Sequence, residues 1–347
     1  MLKLIMTTKP IISYLTWAIG GKQVMGGIRV ILEQTHHLLE RGYHVNILTH
    51  QSKEIPWFDS KIKPIVIPEF STDIPKTDIL VASYWPTAYE VNNFTDVRKY
   101  YLVQHYEPLF ENNSVAFELA KNTYRLPLKK LTVSHWISDK LEKETQQKSS
   151  CISNAIQPQK FQLPEGFAVN KPEKTQILAV ASDMARWKGI EELFLVFKKL
   201  KETRTDIEIT FITSDKRINS HHKQCIDNFI VSPIQEALIA YYQRADLFIH
   251  TSYYEGFGLP PLEAMAANTC IVAVDSGGIN DYAKHNENAI IVPARDYDAL
   301  FLSIYFLLDR PAIREKLAFN AQKTAQQFTW NKVIDKLENI FLEDSSN

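Results

Sequence analysis

Short apolar runs alternate with helical periodicity twice along this chain, and that alternation limits the fold more than any other feature. HVNILTH (44–50), DILVASY (78–84), YYLVQH (100–105) and LTVS (131–134) are compact apolar runs, as in parallel strands covered on both faces. Before the first of them, IRVILEQTHHLLERG (28–42) puts Ile28, Ile31, Leu32, Leu38 and Leu39 on one helical face, and Gly42 stands where that helix should stop. The pattern lapses over 153–175, which carries 3 prolines and little periodicity. It resumes with strands at 176–182, 206–213, 245–252, 269–275 and 289–294. Helices are expected at 189–202, 261–267, 296–309, 311–327 and 330–342. The expected fold class is α/β: two Rossmann-like, doubly wound domains facing a cleft. The expected boundaries are 1–155 for the first domain, 156–175 for a linker, 176–329 for the second domain and 330–347 for a closing helix and tail.

Composition narrows the function. The 347 residues suffice for two cores, 45% are hydrophobic and 23% charged, and the net charge is -1. A global electrostatic grip on nucleic acid is therefore not expected. Cys151, Cys225 and Cys270 are scattered and odd in number, with no CxxC or Cys/His metal spacing, which suits a reducing compartment. The apolar run in MLKLIMTTKP is too short for a signal-peptide core, and no stretch is long enough to span a bilayer. A cytoplasmic protein is expected, with peripheral contact to the inner face of the membrane left open.

The chemistry concentrates in YYEGFGLPPLEAMAA (253–267). It follows a strand, so its loop lies at the carboxyl end of the sheet, where open α/β sheets bind ligands. Gly256 and Gly258 let backbone N–H groups approach a ligand, Pro260 and Pro261 suit a first helical turn, and a helix N-terminus favours phosphate. Glu255 and Glu263 would repel phosphate but accept hydrogen bonds from vicinal hydroxyls. A diphosphate flanked by two sugars satisfies both ends of the motif. Taken singly, Glu263 reads as a first-turn acid worth about 0.3–1 kcal/mol and Glu255 as a solvated loop acid. The ordered combination points to a ligand.

EGFGLPPLEAMA resembles the signature of the retaining, GT-B-fold glycosyltransferases of family 4 (glycosyl transferases group 1). MGGIRVILEQTHHLLERGYHVNILTH, VASDMARWKGIEELFLVF, VDSGGINDYAKHNENAIIVPARDYDAL and FTWNKVIDKLENIF resemble further segments of that family, so the likeness spans most of the chain. The resemblance implies that Glu255 binds donor-sugar hydroxyls, Glu263 binds the ribose and the backbone of Gly256, Phe257, Gly258 and Leu259 contacts the diphosphate or sugar. It implies that Lys188 neutralises the leaving phosphate, that backbone near Ile230 and Val231 holds the base, and that Gly26 and Gly27 bring the first domain's loop to the phosphate. His105 falls where the family places a histidine near the reaction centre, and the closing helix would return to the first domain. The implied reaction moves a hexose or deoxyhexose from a nucleoside-diphosphate sugar to a glycan or lipid-linked sugar hydroxyl. Configuration is retained, and neither metal nor cofactor is required. VQHYEP resembles a run in some rhamnosyl-transferring members and hints at a deoxythymidine-diphosphate sugar.

Departures from the family pattern are specific. Ser182 stands where an arginine is usual, and the nearest substitute is Arg186. Asp281 stands where glutamate is commoner. The lost arginine supports the alternative of a non-catalytic nucleotide-sugar-binding protein on the same scaffold. A hydrolase using Glu255 and Glu263 as an acid/base pair would need both to face one bond, which a phosphate-type loop between them disfavours. His36-His37 and His221-His222 lack partners at ligand spacing and read as surface residues. Lys129-Lys130 and Lys198-Lys199 read as solvated pairs.

Overall fold

The computed structural model describes residues 9–21, 25–111, 113–164, 172–181 and 184–343. Ser182 and most of the initial MLKLIMTTKP run lie outside the described residues, as does 165–171 of the expected linker. The chain divides into two units, one formed by Met1–Ser153 with Trp330–Asn347 and the other by Asn154–Thr329.

In the first unit the order is β1 (Ile11–Ile19), α1 (Gly26–Glu40), β2 (His44–Ser52), β3 (Ile65–Val66), β4 (Ile79–Ala82), α2 (Trp85–Asn92), β5 (Arg98–Val103), α3 (Ser114–Thr123), β6 (Lys129–Thr132), α4 (His135–Thr145) and β7 (Ser150–Cys151). The strands form one parallel sheet in the order β3-β2-β1-β4-β5-β6-β7. The central strand, β1, escapes the apolar-run criterion because Ser13 and Thr16 interrupt it. Both are buried, and Ser13 Oγ accepts from Asn46 Nδ2 at 3.1 Å, so the sheet supplies the partner the sequence hides. The expected strand at 78–84 is shorter, Ile79–Ala82, and Trp85 begins α2.

The second unit contains α5 (Pro158–Phe161), β8 (Thr175–Ala181), α6 (Ile190–Thr203), β9 (Ile207–Thr213), α7 (Ser220–Lys223), β10 (Asn228–Val231), α8 (Gln235–Arg244), β11 (Leu247–His250), α9 (Leu259–Ala266), β12 (Cys270–Val274), β13 (Ile290–Val292), α10 (Tyr297–Leu308) and α11 (Pro311–Ala325). Its parallel sheet runs β10-β9-β8-β11-β12-β13. The described part of 153–175 is structured: α5 buries Phe161, and Ile156 bridges Thr329. The core below the sheet joins Ile177, Ile209 and Phe211 to Leu193, Phe197 and Leu200 of α6.

The last helix, α12 (Trp330–Glu343), belongs to the first unit. Trp330, Val333, Ile334, Leu337 and Phe341 recur at helical spacing and are buried. Phe341 packs edge-on to Tyr100 of β5, and Arg41, capping α1, reaches Asp335 at 2.6 Å. In both units the strand order turns at the first strand, between β1 and β4 and between β8 and β11. That reversal leaves a crevice at the carboxyl ends of the strands.

Candidate active site

In the second unit, the crevice between β8 and β11 collects the charged residues. Arg186, Trp187 and Lys188 form a 3-10 turn after β8, capped by Gly189 at φ +63°. A Cβ on Gly189 would lie 2.3 Å from the Thr251 carbonyl oxygen, so only glycine lets this turn seat against the end of β11. Two hydrogen bonds fasten the turns together: Thr251 Oγ1 donates to Lys188 O at 2.9 Å and Tyr253 N donates to Trp187 O at 2.7 Å.

Fixed in this way, Lys188 Nζ meets Glu255 Oε1 at 2.8 Å, with side chains 16% and 12% exposed. The Glu255 backbone is held from the other side, because its N–H donates to Ser276 O at 2.8 Å and its carbonyl accepts from Gly278 N at 3.0 Å. A Cβ on Gly278 would lie 2.2 Å from Gly256 O, so the 277–278 glycine pair is a close-approach device.

The loop 255–258 delivers the chain into α9. Gly258 caps that helix at φ +85°, and Tyr282 Oη donates to its carbonyl at 2.5 Å. Phe257 is buried against Tyr282 and Phe328, so its ring is packed into the core of the unit and only its backbone faces the loop. The helix begins at Leu259, two residues before the proline expected to open it. Pro260 and Pro261 therefore occupy its second and third positions and remove two of the first-turn N–H donors. Gly258 and Leu259 keep theirs, so anion-binding capacity at this terminus is concentrated in the glycine loop. Glu263 is buried one turn into α9, where Tyr242 Oη of α8 donates to its Oε2 at 3.0 Å.

Sequence reasoning passed over His250, the last residue of β11. It is buried, its Nε2 has no hydrogen-bond partner among the described residues, and that atom lies 3.9 Å from Glu255 Oε1. Its imidazole is pushed down to about 4 by burial, with Glu255 opposing and Lys188 adding to the shift. Burial also raises the Tyr282 phenol well above its ordinary value, and Glu255, Asp281 and Glu263 add to the rise. Tyr242, Tyr282 and His250 were invisible as site residues because each meets its partner only through the fold.

Lys188, Glu255, Gly256, Phe257, Gly258, Leu259 and Glu263 are thus brought to one strand-end region. Arg186 is exposed on the same turn, and Val231 closes β10, followed by Ser232 at φ +46°. The first unit carries the rest. Gly26 and Gly27 open α1, exposed, and a Cβ on Gly27 would lie 3.3 Å from Gln104 Nε2. His105 follows β5, with its ring edge-on to Phe110 at 4.1 Å. Behind it Glu107 is buried, accepts from the Trp85 N–H at 3.2 Å and from the Tyr101 hydroxyl, and is pushed up to about 8 by burial. The acids of Asp296-Tyr297-Asp298 act locally. Asp296 caps α10 through Ala299 N at 2.9 Å, and Asp298 pairs with Lys199 at 3.2 Å.

Two parallel-sheet Rossmann-like units, one with a cation–carboxylate pair beside a glycine loop at its switch point, define the GT-B class of α/β proteins. Residues 164–324 match the model of the family Glycosyl transferases group 1. A protein of Methanocaldococcus jannaschii described as an uncharacterized glycosyltransferase is 21% identical over 95% of this chain and 97% of its own length. The MMP alpha-(1->4)-mannosyltransferase of Mycolicibacterium hassiacum is 31% identical over 50% of this chain and 43% of its own. Among solved structures, HepE of Anabaena in complex with UDP and glucose superposes with a TM-score of 0.78. That match covers 96% of this chain and all of that one at 13% identity. No described helix is long and apolar enough to cross a membrane.

Proposed function

We propose that the protein transfers a hexose or deoxyhexose from a nucleoside-diphosphate sugar to a sugar hydroxyl on a glycan or lipid-linked acceptor, with retention and without a metal. The Lys188–Glu255 pair at 2.8 Å, beside the glycine loop that opens α9, carries this reading. Cleaving a sugar–phosphate bond builds negative charge on the leaving diphosphate and positive charge on the anomeric carbon. A fixed ammonium and the Gly256–Leu259 backbone would stabilise the first without reorganising, which is the largest contribution such sites make. Arg186, on the same turn as Lys188, would add charge at the rim. Glu255 would accept from donor-sugar hydroxyls, Glu263 from the ribose, and backbone at Val231 from the base. Gly26, Gly27 and His105 would serve from the first unit. In this reading the acceptor attacks on the face from which the diphosphate leaves, and a leaving-group oxygen takes its proton. No side-chain nucleophile is needed.

The match of residues 164–324 to that family model supports glycosyl transfer, and the HepE complex makes UDP the first nucleotide to try. A thermal-shift panel of UDP-, GDP-, dTDP- and ADP-sugars tests the donor site, because a ligand at 100 times its Kd adds about 2.7 kcal/mol of apparent stability. One base should stand out, and a flat panel refutes the donor site. Transfer assays then test roles. Glu255→Gln and Lys188→Ala should each lose at least about tenfold in kcat/KM, the equivalent of one 1.4 kcal/mol contact. Unchanged transfer in both would refute the mechanism.

A further inference from the structure

We propose that the second unit carries a carbohydrate site apart from the donor crevice, a pocket at the amino ends of β8, β9 and β10 that takes one neutral sugar residue. The register of the sheet builds it. Gln176 of β8 stands opposite Glu208 of β9, and Asn228 of β10 stands opposite Thr210. The neighbouring Ile177 and Ile209 turn into the core against α6, so the four polar side chains share the other face of the sheet. Asn228 Nδ2 donates to Glu208 Oε1 at 2.8 Å and to Thr210 Oγ1 at 3.3 Å. Gln176 Nε2 donates to Lys174 O at 2.9 Å and to Glu208 Oε2 at 3.4 Å. An amide–carboxylate–amide ladder thus ties three strands together.

What the ladder leaves over decides the ligand. Each carboxamide spends its two N–H donors inside the ladder or on the backbone beside it. Gln176 Oε1 and Asn228 Oδ1 have no partner among the described residues, and the Glu208 carboxylate keeps lone pairs. The face therefore presents a row of acceptors and suits a ligand rich in hydroxyl donors. It lines a cavity of about 190 Å³, to which α8 adds Tyr241 and the exposed Arg244. That space equals about six waters at about 30 Å³ each, the bulk of one sugar ring. Charge narrows the class further. Glu208 disfavours an anion, Arg244 disfavours a cation, and the two together favour a neutral ligand. Arg244 has no ion pair among the described residues, so its donors remain for sugar oxygens. Tyr241 would give the C–H face of the ring an aromatic surface to lie on.

The pocket stands apart from the donor crevice. Gln176 lies five residues before Ala181, the carboxyl end of β8, which is about 16 Å along the strand. Lys188, Glu255 and the glycine loop lie beyond that opposite end. A sugar held by Glu208 and Asn228 is therefore not the one transferred. In a protein that lengthens glycans it would be a residue of the chain already made. That consequence rests on the transfer reaction proposed above, whereas the sugar site itself does not.

The test is saturation-transfer NMR on the full chain with the methyl glycosides of glucose, galactose, mannose and rhamnose, whose blocked anomeric carbon imitates a residue within a glycan. At least one should receive magnetisation at millimolar concentration, and neither saturating UDP nor Glu255→Gln should abolish it. Arg244→Ala changes an exposed residue and leaves the core untouched. It and Tyr241→Ala should each weaken binding about tenfold, the worth of one 1.4 kcal/mol contact, with the melting transition in place. Glu208→Ala should do the same. No transfer to any of the four overturns the proposal, and is what a merely solvated sheet face would give. Transfer abolished by UDP or by Glu255→Gln overturns it too, because the sugar then sits in the donor crevice. So does full binding in both α8 variants. The failure of the transfer reaction reads differently. A flat nucleotide-sugar panel with glycoside binding intact refutes that reaction and leaves the pocket, whereas a positive panel without glycoside binding refutes the pocket alone.

Discussion

Replacing Gly189 with alanine tests whether the two strand-end turns of the second unit are seated by backbone contact. The φ of +63° puts an L-residue in the left-handed region, at about 1–2 kcal/mol. The new Cβ would also stand 2.3 Å from Thr251 O and 3.1 Å from the Thr251 carbonyl carbon. These are backbone atoms at the end of β11, so the contact cannot be relieved by a rotamer change. Relief requires the turn to lift, an overpacking cost of about 1–3 kcal/mol. The sum, about 2–5 kcal/mol, should lower the melting temperature by roughly 10 °C in a domain of this size. Gly42→Ala is the control, since its φ is +80° but its Cβ would meet nothing within 4 Å. It should cost only the conformational part, roughly 4 °C. Lifting the turn also displaces Lys188, so Gly189→Ala should lose donor affinity even below its melting transition, which Gly42→Ala should not. Equal melting shifts for the two variants would refute the seating argument. Intact donor affinity in Gly189→Ala would show that Lys188 does not depend on it.

Three other perturbations follow from buried polar contacts. Tyr282→Phe leaves the Gly258 carbonyl without its 2.5 Å donor and should cost about 1–3 kcal/mol in urea unfolding, with a higher donor KM because the loop before α9 is released. Tyr242→Phe removes the 3.0 Å donor to Glu263 and should cost about 1.5–3 kcal/mol, and binding of the free nucleoside diphosphate should weaken as much as that of the sugar donor, since Glu263 is assigned to the ribose. Glu107→Gln tests pH linkage. The folded carboxyl, pushed up to about 8 by burial, keeps its proton where the unfolded one, near 4.5, loses it. Stability from this group is therefore full below about 4.5 and is lost as pH rises toward 8, and thermal melts of Glu107→Gln across that window should show a flatter slope than the wild type.

The sequence announced the parts of this fold whose signal is local. The apolar stripe of α12 and the runs at 176–182, 206–213, 245–252, 269–275 and 289–294 are continuous patterns, and each coincides with an observed helix or strand, whereas the four-residue β10 did not stand out. Partners distant in sequence were not legible. β1 carries buried Ser13 and Thr16, which make sense only beside Asn46, and β3 and β7 are two residues each, too short to leave a pattern. At the site, the acid–loop–acid spacing marked Glu255 and Glu263. The Lys188 contact spans 67 positions and the Tyr242 contact 21, so no periodicity connects them. His250 looked like the polar end of a strand. Its burial and its lowered imidazole basicity are not things a strand end advertises.

The return of α12 to the first unit has a consequence for how the protein is made. The apolar stripe Val333, Ile334, Leu337 and Phe341 completes a layer begun by residues that left the ribosome long before. At about 5–20 residues per second, the wait between Ser153 and Trp330 is on the order of ten to forty seconds. During that time the earlier unit must stand with the α12 side of α1 and Tyr100 uncovered. The unit translated second can close first, as soon as Thr329 emerges. The order of synthesis and the order of completion are reversed, and a translation arrest anywhere in the second half leaves the first half unfinished.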